Sequence, residues 1–180
     1  MLLQKYTSDW VGDFTDLKNV ISEALKGLDF LIEHVGSTSI PGLDAKNIID
    51  IDIIYEKESE FAKIKVGLLK IGYYHSGNQG IEHREVFKRK EESSHLVLDK
   101  IAHHLYVCPI NSKALERHLF SRDFMRKNDG ARLEYQTMKY EIADRAGQDK
   151  KKYAELKELN VNDFIDSIIE KERAWILENQ

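Results

Sequence analysis

The sequence predicts an α/β (α+β) fold: a mixed-sheet lobe over residues 1–109, backed by a helical part over 110–180 packed on it as a single compact unit. Three observations carry that reading. Strand-like and helix-like segments alternate as far as Pro109, every candidate element beyond it is helical, and no low-complexity linker or internal repeat separates the two parts. A length of 180 residues suffices for one substantial core, or for two small lobes that share one.

The first helix is expected over 10–28, where Phe14, Leu17, Val20, Ile21, Ala24, Leu25 and Leu28 recur at helical spacing. A short strand over 29–35 and a more buried one over 47–55 follow. Residues 58–71 return to helical periodicity through Phe61, Ile64, Leu68, Leu69 and Ile71, and Gly72 marks the stop. REVFKR at 84–89 and IAHHLYV at 101–107 read as two further strands, with a turn of some strand character over 90–100 between them. Helices are expected over 111–127, 131–146 and 161–179, the first two separated by a break at Asn128-Asp129-Gly130.

Composition narrows the function classes. A charged share of 32% beside 42% hydrophobic residues is that of a soluble globular protein. The net charge of −4 argues against a broad basic surface for duplex nucleic acid. The single cysteine, Cys108, excludes an intrachain disulfide and a cysteine-built zinc site, which suits a reducing compartment. No uncharged apolar run spans a bilayer and MLLQKYTSDWVGDF has no signal-peptide pattern, so a cytoplasmic location is expected.

The most telling stretch is EHVGSTSIPGLDAKNIIDIDIIY at 33–55. In a strand, residues two apart share a face, so Asp50 and Asp52 project together while Ile49, Ile51 and Ile53 pack behind them. Adjacent carboxylates repel, and a divalent cation resolves that conflict: close-set hard oxygen ligands suit Mg²⁺ or Mn²⁺. A bare Asp-x-Asp is also compatible with a solvent-facing pair or with lysine partners. Upstream, Val35-Gly36-Ser37, followed by Thr38 and Ser39, offers pliant backbone and hydroxyls where phosphate oxygens could be cradled. The joint pattern is hydrophobic–Gly–Ser, twelve residues, then Asp–hydrophobic–Asp–hydrophobic. It resembles the signature of the nucleotidyltransferase fold of polymerase-beta-like enzymes.

The same stretch resembles the leading motif of the GrpB family, a group assigned to the nucleotidyltransferase superfamily. HHLYV at 103–107, FSRDFMRKN at 120–128 and the Tyr135…Lys139 spacing are similar to the family as well, so the resemblance covers nearly the whole chain and is loosest after Lys150. It implies a nucleotidyltransferase-like mixed sheet, a divalent metal held by Asp50 and Asp52, and phosphate contacts at Gly36, Ser37 and Ser39. It implies a reaction less directly, because one fold hosts many functions. Some relatives in the family are fused to dephospho-coenzyme A kinases, which implies an accessory role and leaves room for a protein partner.

The chain departs from the superfamily pattern at the third carboxylate. Glu85 and Asp99 lack the flanking apolar residues such a site needs, and IAHHLYV offers histidines instead. His104 matches the first histidine of a His-Leu-His-Val pattern in the family, with Tyr106 in place of the second. His104 is therefore a candidate third ligand or general base, whereas His103, on the opposite face, reads as a hydrogen-bonded structural residue and His34 stays open.

Phosphate charge needs cations as well. Lys46 precedes the acidic strand and Arg84 begins the REVFKR strand; Arg122, with Arg126 four residues on, and Lys139 lie at positions similar to the family's. Lys46, Arg84, Arg122 and Lys139 are the candidate phosphate ligands, against the ordinary reading of solvated surface charges. Three functions remain open: a metal-dependent nucleotidyltransferase taking a nucleoside triphosphate and a small-molecule acceptor, a catalytically degenerate nucleotide- or phosphometabolite-binding accessory module, or a metal-dependent phosphohydrolase.

Overall fold

The computed structural model of the chain describes residues 1–178. Its centre is a five-stranded mixed sheet in the order β1-β2-β5-β4-β3: β1 Leu31–Val35, β2 Ile49–Tyr55, β3 Tyr73–His75, β4 Glu85–Arg89 and β5 His103–Pro109. Only the β2–β5 pair is parallel. Five helices surround the sheet: α1 Asp9–Ala24, α2 Glu58–Lys70, α3 Lys113–Lys127, α4 Asp129–Arg145 and α5 Lys150–Glu178.

The alternation of β2 decides what lies on each face. Ile49, Ile51 and Ile53 join Trp10, Leu17 and Ile21 of α1 and Ile64 and Leu68 of α2 in the main core, with Phe87, Leu105 and Val107 from β4 and β5. On the other face, Ile54 and Cys108 meet Leu115 of α3. A further cluster binds α3, α4 and α5 to the chain's N-terminal arm and to the loop before β2 through Met125, Tyr135, Ile142, Tyr153 and Ile165, with Leu3, Ile40 and Leu43. Asp44 is the knot in that loop. Its carboxylate accepts from Lys5 Nζ (2.9 Å), the Tyr6 N–H (3.0 Å) and Tyr140 Oη (2.8 Å), and its carbonyl accepts from Lys139 Nζ. Burial alone would raise the Asp44 carboxyl, but those hydrogen bonds hold its pKa below the ordinary value.

The expected elements are present with three differences. β3 is too short for alternation to announce it. The 90–100 segment forms no strand: its backbone bonds are local turns such as Asp99 N–H to the His95 carbonyl, with Leu98 drawn into the core and Asp99 paired to Arg89. α5 begins eleven residues before the expected start at 161, because Tyr153 anchors a turn whose charged composition conceals it (161 − 150 = 11). The expected helix end at Asn179 lies outside the described residues. The expected break falls at Asn128, which separates α3 from α4 and caps α4, its side-chain oxygen accepting from the Ala131 N–H at 3.0 Å. Gly72, at φ +86°, ends the turn after α2 as expected.

Candidate functional site

The β2–β5 register sets His104 beside Asp50 and Tyr106 beside Asp52, all on the face away from α1 and α2. Each carboxylate accepts from one imidazole: His104 Nδ1 lies 2.8 Å from Asp50 Oδ1, and His118 Nδ1, from α3, lies 2.8 Å from Asp52 Oδ2. Because the carboxylates accept, each Nδ1 carries a proton, and Nε2 is the ring nitrogen not committed to a carboxylate. Burial would raise the Asp50 carboxyl, yet the His104 hydrogen bond and charge, aided by Lys157 and His118, keep its pKa below the ordinary value. Asp52 is fully buried, and its Oδ1 has no hydrogen-bond partner.

That orphaned oxygen is a donor left over that could meet a cation. Among the described residues no three His, Cys, Asp or Glu side chains gather as a self-sufficient metal cage. Two carboxylates with an unused oxygen nevertheless fit an ion of the Mg²⁺ type, which keeps waters and completes its shell with substrate phosphates. The donor set therefore suits a metal that arrives with a phosphorylated ligand.

Gly36 closes over this pair. It adopts φ +70°, and a Cβ placed there would stand 2.2 Å from Asp50 Oδ2, so only glycine lets the backbone approach the carboxylate so closely. Ser37 opens the 3-10 turn Ser37–Ser39. Ser39 is not available to a ligand in the way expected: its hydroxyl donates to the Gly36 carbonyl at 2.6 Å, and its own carbonyl accepts from Arg126. The neighbouring Thr38 hydroxyl donates to the Ile48 carbonyl (3.3 Å) and so accepts from His34 Nε2 (3.0 Å). Burial pushes the His34 imidazole down to about 4, leaving it neutral as it stacks on Phe14.

Three lysines, from the loop before β2, from α4 and from α5, interact electrostatically with Asp50. Lys46 lies with Nζ 5.0 Å from the centre of the Tyr153 ring, its pKa lowered by burial and by Lys157 while Asp50 opposes the shift. Lys139, only 2% exposed, sits over the Tyr135 ring; burial, then Lys157, drives its pKa well below the ordinary lysine value against the pull of Asp44 and Asp50. Lys157 of α5 goes the other way: Tyr135 raises it against burial, with Tyr153 and Asp50 adding to the rise.

The remaining sequence candidates divide. Arg84 stacks over the Tyr106 ring at 4.8 Å, on the carboxylate face. Arg122 is a strut rather than a free phosphate ligand. Its donors go to Glu33 Oε2 (2.6 Å), the His34 carbonyl (3.0 Å) and Asp123, because α3 must be tied to β1 across the sheet edge. His103 is the structural residue it was expected to be, bonded to Tyr73 Oη (2.6 Å) and the Ile101 carbonyl (2.7 Å).

Two site residues escaped sequence reasoning, although a signal existed for each. His118 stands four residues before Arg122 and eight before Arg126, which makes one helix stripe (122 − 118 = 4; 126 − 118 = 8). Tyr153 and Lys157 repeat in α5 the Tyr-x-x-x-Lys spacing of Tyr135 and Lys139 in α4.

The family model described as GrpB protein matches residues 1–171. The Glutamate-rich protein GrpB of Alkalihalophilus pseudofirmus is 30% identical over 174 residues, 94% of each chain. UPF0157 protein YqkA of Bacillus subtilis is 29% identical over 77% of this chain, which spans only 38% of that relative's length. Among solved structures, conserved protein GrpB from Enterococcus faecalis is similar at TM-score 0.77 and 26% identity, covering 94% of this chain and 98% of that one. The Cid1 poly(U) polymerase bound to MgGTP matches at TM-score 0.57 and 15% identity, over 79% of this chain and 45% of that one, a likeness of fold alone. No helix of the described residues is long and apolar enough to cross a membrane.

Proposed function

The chain belongs to the GrpB family and carries a nucleotidyltransferase-like fold, and from that premise we propose that it is a metal-dependent nucleotidyltransferase acting on a small-molecule acceptor. The observation that carries this reading is the carboxylate pair itself: buried Asp52 keeps an unpartnered Oδ1, the Gly36 backbone lies so close that a Cβ there would stand 2.2 Å from Asp50 Oδ2, and Lys46, Lys139 and Lys157 add cationic charge that acts on Asp50. Fixed cations facing a carboxylate pair suit a polyanion that brings its own metal.

In this reading Asp50 and Asp52 hold a divalent ion, Mg²⁺ or Mn²⁺, which when bound neutralises phosphate charge. Gly36 and Ser37 border the phosphates of a nucleoside triphosphate, and the lysines counter the charge of the departing pyrophosphate. The acceptor's hydroxyl oxygen bonds to the α-phosphorus, the bond to pyrophosphate breaks, and the hydroxyl proton passes to His104 Nε2. His118 holds Asp52 in place from α3.

The test is release of pyrophosphate from each of the four ribonucleoside triphosphates, with Mg²⁺ or Mn²⁺ and a small-molecule extract as the source of acceptors. Release that needs the extract and vanishes in Asp52→Asn supports the transferase. Consumption of nucleotide by water alone makes the protein a phosphohydrolase. A second reading, an accessory module that binds nucleotide or phosphometabolite without turnover, is favoured by β5, which sets His104 and Tyr106, and no carboxylate, beside Asp50 and Asp52. Metal-dependent binding with no turnover under any of these conditions supports it.

A further inference from the structure

Arginines in this fold are almost all spoken for. Arg89 pairs with Asp99, Arg117 with Asp166, Arg122 with Glu33, Arg132 with Asp129 and Arg173 with Glu116; Arg126 donates to the Ser39 carbonyl and Arg145 to Asn160. Arg84 is the exception among the described residues: its side chain has no oxygen partner, and its buried Nε has no hydrogen-bond acceptor at all. It lies instead on the ring of Tyr106, 4.8 Å from the centroid. That contact consumes none of the guanidinium's N–H donors, which lie in its plane and have no oxygen partner among the described residues.

The platform beneath it belongs to the carboxylate site. Tyr106 neighbours Asp52 in the β2–β5 register, and its ring lies 5.8 Å from that of His118 and 6.3 Å from that of His104. Tyr106 pairs with Val86 of β4 on its other side, two residues beyond Arg84. Gly36 and Ser37 follow β1, whereas Arg84 precedes β4, and in the sheet order these strands flank the β2–β5 pair from opposite sides. An anionic group held by Arg84 would thus stand across the carboxylates from the Gly-Ser loop.

We propose that Arg84, seated on Tyr106, anchors a phosphate or carboxylate of the acceptor, so that the acceptor is a small acidic metabolite and not a neutral alcohol or sugar. The acceptor role rests on the transferase reading; the anion site itself does not. A bidentate guanidinium–oxyanion pair supplies both charge and orientation, and a planar arginine fixed on an aromatic ring loses little entropy on binding.

The experiment is calorimetric titration of the full chain with inorganic phosphate, alone and after saturation with Mg²⁺ and whichever nucleotide binds best. Saturation fills the lysine side and leaves the Arg84 side open. The expected result is one phosphate per nucleotide-loaded chain, weakened about tenfold by Arg84→Ala, with nucleotide affinity changed by less than about twofold. Arg84→Lys, which keeps the charge and the stem, is expected to fold as the parent does and to weaken phosphate by about threefold. Absence of a second phosphate site in the loaded wild-type protein, or one indifferent to both variants, overturns the inference. So does a tenfold loss of nucleotide affinity in the variants, which would move Arg84 to the donor and leave the transferase reading standing. An Arg84-dependent phosphate site in a protein that binds no nucleotide overturns the transferase reading, and with it the acceptor role.

Discussion

β2 has one apolar face and one acidic face, and they differ in what they ask of the protein. Ile49, Ile51 and Ile53 lie under α1 and α2 in close-packed contact, where every buried methylene adds stability. Asp50 and Asp52, one residue away on the other face, are bonded to histidines, and burial lowers the pKa of Lys46 and Lys139, whose charges act on Asp50. The apolar face follows the ordinary rules of a core. The acidic face departs from them through the unpartnered Oδ1 of fully buried Asp52, a local cost of the kind that gathers at functional sites.

Matched substitutions on the two faces should therefore separate stability from binding. Ile51→Ala removes buried volume from the apolar face and is expected to cost about 4 kcal/mol of unfolding free energy, with nucleotide affinity unchanged in the protein that remains folded. Asp52→Asn keeps an acceptor for His118 and should alter stability by less than about 1 kcal/mol while abolishing metal-dependent binding. Urea denaturation paired with calorimetry checks both; equal losses of stability would erase the distinction.

Protons probe the same contrast. His34, whose imidazole burial lowers from 6.5 to about 4, is neutral when folded and takes up a proton more readily when unfolded. Its contribution is intact above pH 6.5 and is lost as pH falls through about 4, a total of about 3 kcal/mol. His34→Gln should flatten the decline of stability between those values, measured by denaturation at stepped pH. An unchanged decline would mean that His34 is charged in the folded protein.

The smallest expected effect is a gain. Lys139→Met removes a buried ammonium whose pKa is pushed well below 10.5, and should raise stability by ~1 kcal/mol at neutral pH. A group with a lowered pKa penalises folding below its unfolded value, so this gain shrinks as pH rises towards 10.5. Nucleotide binding should weaken in the same variant. Loss of stability at neutral pH would instead make Lys139 a structural residue, held for its bond to the Asp44 carbonyl.

Much of the fold was legible because hydrophobic period tracks burial directly: Ile49, Ile51 and Ile53 announced β2, and the strand-free stretch after Pro109 announced the bundle. Gly36 with Asp50 and Asp52 was legible for a related reason, since a loop and a strand close in sequence bring them together. His118 and Lys157 were not. They come from α3 and α5: the stripe of His118, Arg122 and Arg126 and the repeated Tyr-x-x-x-Lys spacing place each on a helix face, but which face meets the carboxylates depends on how those helices pack, which spacing alone does not encode. Arg122 and Ser39 misled in the opposite way: their residue types suit phosphate, but Glu33, the His34 carbonyl and the Gly36 carbonyl had already claimed their polar atoms.

The most direct test of the central claim, that the Asp50–Asp52 cleft takes a metal-bound nucleotide, is thermal unfolding with ATP, GTP, CTP and UTP, each with Mg²⁺, with Mn²⁺ and with neither. A ligand at about a hundred times its dissociation constant adds roughly 2.7 kcal/mol, a rise in Tm of about 2–8 °C for a domain near this size. The account predicts such a rise with at least one nucleotide, dependent on metal and absent in the Asp50→Asn/Asp52→Asn double variant. No rise with any nucleotide in well-folded protein, or the same rise in the double variant, would contradict it.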